Sequence, residues 1–370
     1  MVVPKEYAGR EQSYLKHRIL DGYLQAWAQK HASNSRYGPV RLVYVDCFAG
    51  PWQSQNQKLE DTSVHIGLTA LEIATRTWKN GTTAKALFVE KDDEAYARLQ
   101  KHLGTYRGPV EALALHGEFG SQIEIINKHI GSSPAFLFVD PTGWKGVAMN
   151  YIAPLARPPK RDVLINVMFN HIRRFKDDPR EFLRSQMREF FGLRDRDIPE
   201  GLDEDELLAL YRRQLKQAAH LPYAANLAIP HPAQDRTWFH LVVGGHHHEV
   251  VRLFRSIESK VCGREAEQVR SSARSRRTSQ SEMLFGQDAT FDGRHEASEK
   301  HVREWLRSKA PAWNSTFLDV WTELLQENHL TRTELARLVL EEVDEGRIEL
   351  SSTSRTGVAD DTRLTRQSKT

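Results

Sequence analysis

A chain of 370 residues, 39% hydrophobic and 27% charged, can form a packed core in one large or two ordinary domains, which excludes wholesale disorder. No apolar run approaches the ~20 residues of a membrane span. Residues 1–10 lack the apolar core of an export signal, and Cys47 and Cys262 are too few for a disulfide framework or a thiolate metal cage. These features lead us to expect a soluble protein of the reducing cytoplasm, whose net charge of +3 does not by itself select a partner.

Residues 14–31 carry Leu15, Ile19, Tyr23, Ala26 and Trp27 at helical spacing. This predicts an amphipathic helix inside an N-terminal helical segment, 1–40, that Gly38 and Pro39 end. Next come a short strand at 42–45, a helix at 63–79, a strand at 86–89 and a helix over 92–103 with Asp92 as its N-cap. A weak strand at 112–115, a helix at 121–130, a strong strand at 135–139, a helix at 147–156 and a strand at 162–167 continue the alternation. Apolar strands separated by helices, without strict polar alternation, predict a parallel sheet covered on both faces: a doubly wound α/β domain over 41–262. A charged helical insertion is expected at 180–220, then a strand at 237–243 and a helix at 248–261.

A basic linker, 263–300, leads to a C-terminal helical part, 301–350. Helices at 317–327 and 331–345, a turn at Gly346 and a strand at 347–350 give the outline of a winged helix-turn-helix. Such helical pairs serve equally as packing or dimer elements. Residues 351–370 are polar and read as a disordered tail. Between Arg252 and Arg277 stand eight Lys/Arg against three Glu. This is either a phosphate-facing surface, with Arg270, Arg274, Arg276 and Arg277, or a solvated face.

Chemistry concentrates in loops that follow the predicted strands, where an open parallel sheet binds ligands near the switch in strand order. After the first strand stand Asp46, Cys47, Phe48, Ala49 and Gly50. The small Ala49-Gly50 pair lets backbone approach a ligand that a Cβ would keep away, although an ordinary turn has the same look. Glu90 ends the second strand, and a carboxylate there can accept hydrogen bonds from two ribose hydroxyls; a solvent-facing carboxylate is the plain alternative. Behind the third strand, Glu118 is placed to bond an adenine amino group and Phe119 to pack on its ring.

Asp140-Pro141-Thr142-Gly143-Trp144 ends the strongest strand. The stiff proline and permissive glycine aim Asp140 into the cleft, where it can accept a hydrogen bond from an attacking amine while Trp144 offers a flat face to a base. A packing Asp-Pro turn is the other reading. Asn166, Phe169, Asn170 and Arg173 are candidates for the substrate side, with Arg173 or Arg174 for a phosphate. No metal is expected at His246-His247-His248, since adjacent rings rarely converge on one ion. Cys47 reads as a small buried residue rather than a nucleophile.

In this order the loops resemble those of class I S-adenosylmethionine-dependent methyltransferases. The Asp46-to-Gly50 and Asp140-Pro141 loops are similar to the branch that methylates exocyclic amines of nucleic-acid bases, with Thr142 where tRNA guanine dimethyltransferases carry an aromatic residue. From residue 16 to 247, Lys16-His17, Ile19-Leu20, Tyr23-Leu24, 46–51, 138–143, 162–166 and Arg173 resemble the three-Cys-motif partner protein family. The resemblance implies a Rossmann-like sheet of the class I methyltransferase type. It also implies S-adenosylmethionine held by Asp46, Phe48, Ala49, Gly50, Glu90, Glu118 and Phe119, and catalysis by Asp140, Pro141 and Trp144. Nucleic acid would be held by Lys16, His17, Asn166, Asn170, Arg173 and the basic stretch, and the partner would be a phage-type protein with a three-cysteine motif. Trp52 departs from the pattern, standing where a glycine is usual, and its bulk must swing out for a cofactor to bind. A non-catalytic binding subunit and a metal-dependent nuclease using Asp46, Glu90 and Asp140 are the competing readings.

Overall fold

The protein is described by a computed structural model over residues 4, 7, 11–50, 61–143, 146–168, 172, 178–193, 198–230, 237–265, 291–308, 314–352 and 357–366. The first helix, α1 (Glu11–Ala32), buries Leu15, Ile19, Tyr23 and Trp27 along the stripe their spacing requires. Three strands and their helices follow: β1 (Val40–Asp46), α2 (Ser63–Thr77), β2 (Thr82–Glu90), α3 (Asp93–Thr105) and β3 (Val110–His116). The chain continues through α4 (Ile123–Ile130), β4 (Ala135–Val139), α5 (Met149–Ala156) and β5 (Arg161–Val167). The Thr62 hydroxyl and the Asp92 carboxylate cap α2 and α3 by accepting the amides of His65 and Ala95.

Alternate residues of the strands enter two different cores. Leu42, Tyr44, Phe88 and Phe136 pack under α1 and α2, whereas Val43, Val45, Leu87 and Leu137 pack under α4 and α5. A strand covered on both faces must be apolar at every position, which is why these segments show no polar alternation.

The expected insertion contains α6 (Glu181–Phe191) and α7 (Glu204–Ala219), both packed on the second core. Two strands follow, β6 (Tyr223–Pro230) and β7 (Thr237–Gly245), then α8 (Glu249–Glu258). The sheet order is β3-β2-β1-β4-β5-β7-β6, and β7 runs antiparallel to both its neighbours. The strands β1 to β5 are parallel, and the late strand expected at 237–243 is the antiparallel β7. β6 was hidden because its run Ala224-Ala225-Asn226-Leu227-Ala228 has the composition of a helix end. The break is local: His220 adopts a left-handed conformation, φ 52°, and stops α7.

A smaller unit completes the chain: α9 (Phe291–Ser308), β8 (Asn314–Thr316), α10 (Phe317–Glu327), α11 (Arg332–Asp344), β9 (Ile348–Leu350) and β10 (Arg363–Arg366). Capping boxes at Thr316/Asp319 and Thr331/Glu334 start α10 and α11. Two expectations are corrected. Residues 291–300 belong to α9, not to a linker. The supposed disordered tail supplies β10, which pairs antiparallel with both β8 and β9 and buries Leu364 completely. A four-residue strand with one apolar side chain, Leu364, was too little signal for periodicity to detect.

The two parts share the first core, joined by a buried polar node. Arg255 is 1% exposed and donates to the carbonyls of Asn226 and Leu325, each at 2.8 Å, and to Glu258 at 2.6 Å. His329 meets the other Glu258 oxygen at 2.7 Å. Arg255, counted above in a basic surface, is thus an internal tie between α8 and α10.

Candidate active site

The strand order reverses at β1, which pairs with β2 on one side and β4 on the other. A cavity of about 660 Å³ opens at the carboxyl ends of these strands, lined by residues 47, 48 and 50 after β1, 90–92 at β2, 117 and 119 after β3, and 140–143 after β4. A space of this size at this place suits a cofactor.

Glu90 is set rigidly. Its Oε1 accepts the Asp92 amide at 2.7 Å, and its Oε2 leans on Gly50 so closely that a Cβ at that position would fall 2.3 Å away. A Cβ there would force this carboxylate to move. Phe119 is 3% exposed and packs on Phe48 at 5.5 Å between ring centroids, so the two rings form one apolar wall. Ala49 is buried, its amide on the Val89 carbonyl at 2.8 Å. Glu118 departs from expectation. Extended backbone between Gly117 and Phe119 turns its side chain, 79% exposed, away from the cavity to the solvent, 3.9 Å from Lys91.

Asp140 is gripped from two elements. Lys16 on α1 reaches Oδ2 at 2.6 Å, and the Asn166 amide at the end of β5 donates to Oδ1 at 2.7 Å. Pro141 is buried beside it. Lys16 and Asn166, read as substrate contacts, are therefore neighbours of Asp140, while His17 turns to the Tyr7 hydroxyl at 2.9 Å. Asn166 keeps one buried oxygen, Oδ1, without a partner among the described residues.

Asp46 lies beneath the cavity floor, fully buried, with Oδ1 on the Phe48 amide and no well-aligned partner at Oδ2. Burial carries its carboxyl up to about 7, against the opposing influence of the Ser63 side chain and the Phe48 amide. Burial likewise raises Asp162, under the Tyr23 hydroxyl, to about 7. A folded-state value above the unfolded one, ~3.9, means the folded protein holds the proton more tightly. The resulting stability is fully present below about pH 4 and lost as pH rises through about 7. Asp46→Asn should therefore raise the melting temperature of the ligand-free protein at pH 8, by about 3 °C or more, and flatten its decline between pH 4 and 8. A melting curve series with the wild-type slope in the variant would refute this.

Cys47 is buried with its amide on the Phe138 carbonyl, and burial pushes its thiol up, as befits a packing residue. Asp46, Glu90 and Asp140 do not converge as a nuclease metal site would require. Among the described residues no group of three or more His, Cys, Asp or Glu could hold an ion. Of the three histidines, His246 turns to the Ala156 carbonyl, while the His247 and His248 rings lie 4.0 Å apart, His248 also against Trp321. Trp52, Trp144, Phe169, Asn170, Arg173, Arg174, Arg270, Arg274, Arg276 and Arg277 lie outside the described residues.

Sequence reasoning missed Arg180, Phe182 and Leu183, which also line the cavity. The available signal was one of phase. Along α6 the buried residues are Leu183, Met187, Phe190 and Phe191, and Phe182 falls off that stripe, 56% exposed. The α10–α11 pair disappoints as a phosphate grip. Residues 314–352 hold nine acidic side chains against three arginines, an excess of negative charge.

No protein-family model and no curated protein matches the chain. Among solved structures it is similar to a putative methyltransferase from Porphyromonas gingivalis W83, at 14% identity over 60% of this chain and 41% of that one, TM-score 0.28. It is also similar to human methyltransferase-like protein 13 in complex with SAH, at 13% identity over 54% and 90% of the two chains, TM-score 0.24. A Podospora anserina methyltransferase bound to SAH gives 13% identity over 66% and 97%, TM-score 0.27. The chain spans under half the length of the Porphyromonas protein. The fold is a seven-stranded mixed sheet of Rossmann-like order, flanked by helices.

Proposed function

We propose that this protein is an S-adenosylmethionine-dependent methyltransferase acting on an exocyclic amine of a nucleic-acid base, in company with a three-cysteine-motif protein. The observation that carries the cofactor reading is the Glu90–Gly50 contact at the switch point. It is a fixed carboxylate for a ribose diol beside a loop stripped of its Cβ, with the Phe48–Phe119 wall for an adenine ring. When bound, the cofactor supplies an electrophilic methyl group. The protein's own contribution is position: Glu90 fixes the ribose end, and Asp140, aimed by Lys16 and Asn166, receives the N–H of the acceptor amine. Each carboxylate oxygen keeps a second lone pair for that bond.

Calorimetric titration tests the cofactor. Wild-type protein should bind S-adenosylhomocysteine, and Gly50→Ala should weaken it by about 100-fold or more, since the added Cβ displaces Glu90. Equal affinity in both proteins would remove Gly50 and Glu90 from the site.

A second reading has one observation in its favour: both Asp140 oxygens already have protein partners. A binding subunit would need no more than that. Cofactor binding without transfer to DNA or RNA would support it.

A further inference from the structure

Four large apolar side chains are exposed among the described residues: Tyr37, Ile73, Ile125 and Phe182. Of these, Phe182 alone lines the cavity. The inner stripe of its helix begins at Leu183, and the ring stands one position out of phase with it, lining the cavity that the Asp140 loop also lines. Its neighbour Arg180 lies over it, the guanidinium carbon 5.5 Å from the ring centroid. The guanidinium is itself fixed, since Nε and Nη2 each donate to one oxygen of Asp178 at 2.8 Å. That pairing holds the Asp178 carboxyl down at about 2. Arg180 remains 57% exposed.

An exposed ring beside a braced cation is a preset surface with two chemistries. The ring offers a π-face at little entropic cost, and the guanidinium a charge for an anion next to it. Of the lining side chains contributed by residues 140–143 and 180–183, Phe182 carries the one aromatic ring. A nucleotide matches this pair: a flat base attached to a phosphate.

We propose that Phe182 and Arg180 form the acceptor-side platform of the cavity, on which an unstacked base of single-stranded or base-flipped nucleic acid rests while Arg180 meets its phosphate. This deepens the methyltransferase reading and rests on it for the identity of the acceptor. A base inside a duplex has both faces covered and cannot use such a ring, so the platform selects extruded or unpaired bases.

The test uses the full chain as wild type, Phe182→Ala and Phe182→Trp. Each is titrated with a labelled single strand of about eight nucleotides by fluorescence anisotropy, with and without S-adenosylhomocysteine, and S-adenosylhomocysteine affinity is measured separately by calorimetry. Stacking on one ring is worth about tenfold in affinity. Phe182→Ala should lose about that factor for the oligonucleotide, Phe182→Trp should stay within about threefold, and S-adenosylhomocysteine affinity should hold in both. The exposed position predicts an unchanged melting temperature.

Oligonucleotide affinity that ignores Phe182→Ala, or wild-type protein that binds no single strand, overturns the proposal. Loss of S-adenosylhomocysteine affinity in Phe182→Ala also overturns it, because the ring would then serve the cofactor's adenine. Failure of wild-type protein to bind S-adenosylhomocysteine sinks the cofactor reading instead, and the titration without it still reports on Phe182.

Discussion

Asp140→Ala should lower methyl transfer to a base amine by about 10²–10³-fold, the usual cost of deleting one preorganised polar group at a reacting centre. S-adenosylhomocysteine affinity should change by less than about threefold, because Glu90 and the aromatic wall stay in place. The isosteric Asp140→Asn should be nearly as damaging. Its NH2 group would face either Lys16 or Asn166, each itself a donor, at 2.6 and 2.7 Å, and the carboxylate charge opposite Lys16 would be lost. Labelled-methyl transfer at saturating cofactor measures both variants. Retention of more than about half the wild-type rate by either would take Asp140 out of the chemistry and leave it as a tether for α1.

Arg255→Ala is the largest stability effect we expect, about 3–5 kcal/mol. The substitution empties a fully buried site, frees the Asn226 and Leu325 carbonyls and strips Glu258 of its cation. Denaturant unfolding followed by near-ultraviolet circular dichroism would read it, and a loss under about 1 kcal/mol would refute it. The pH dependence runs opposite to that of Asp46. Burial alone would raise Glu258, but His329 and Arg255 hold it at about 2. Its contribution is therefore complete above the ordinary carboxylate range and lost only as pH falls through about 2. Mild acid should leave the two parts of the molecule joined.

The parallel half of the fold was legible because each of its strands is buried twice. A run such as Ala135 to Val139, short and apolar at every position, suits a strand with a core on either face and little else. β6 was not legible, since its alanines favour helix and only the left-handed His220 separates it from α7. At the site, residues adjacent to strand ends were readable: Gly50, Glu90, Phe119 and Asp140 all meet at the cavity. Arg180 and Phe182 come from an insertion far along the chain, and no local pattern places an insertion over a cleft. Lys16 was found, but not its partner, for the same reason: an ion pair across 124 positions is a property of the fold.

The position of β10 in its sheet has a consequence in time. β8 and β9 do not pair with each other; each pairs with β10, which is made last of the three. During synthesis at ~5–20 residues per second, α10 and α11 can form well before the sheet that braces them. The small sheet can close only after residues 363–366 have left the ribosome. Emergence of β10, rather than of the helices, therefore sets when this part of the molecule matures, and a chain stopped at residue 352 would carry two strand edges with nothing between them.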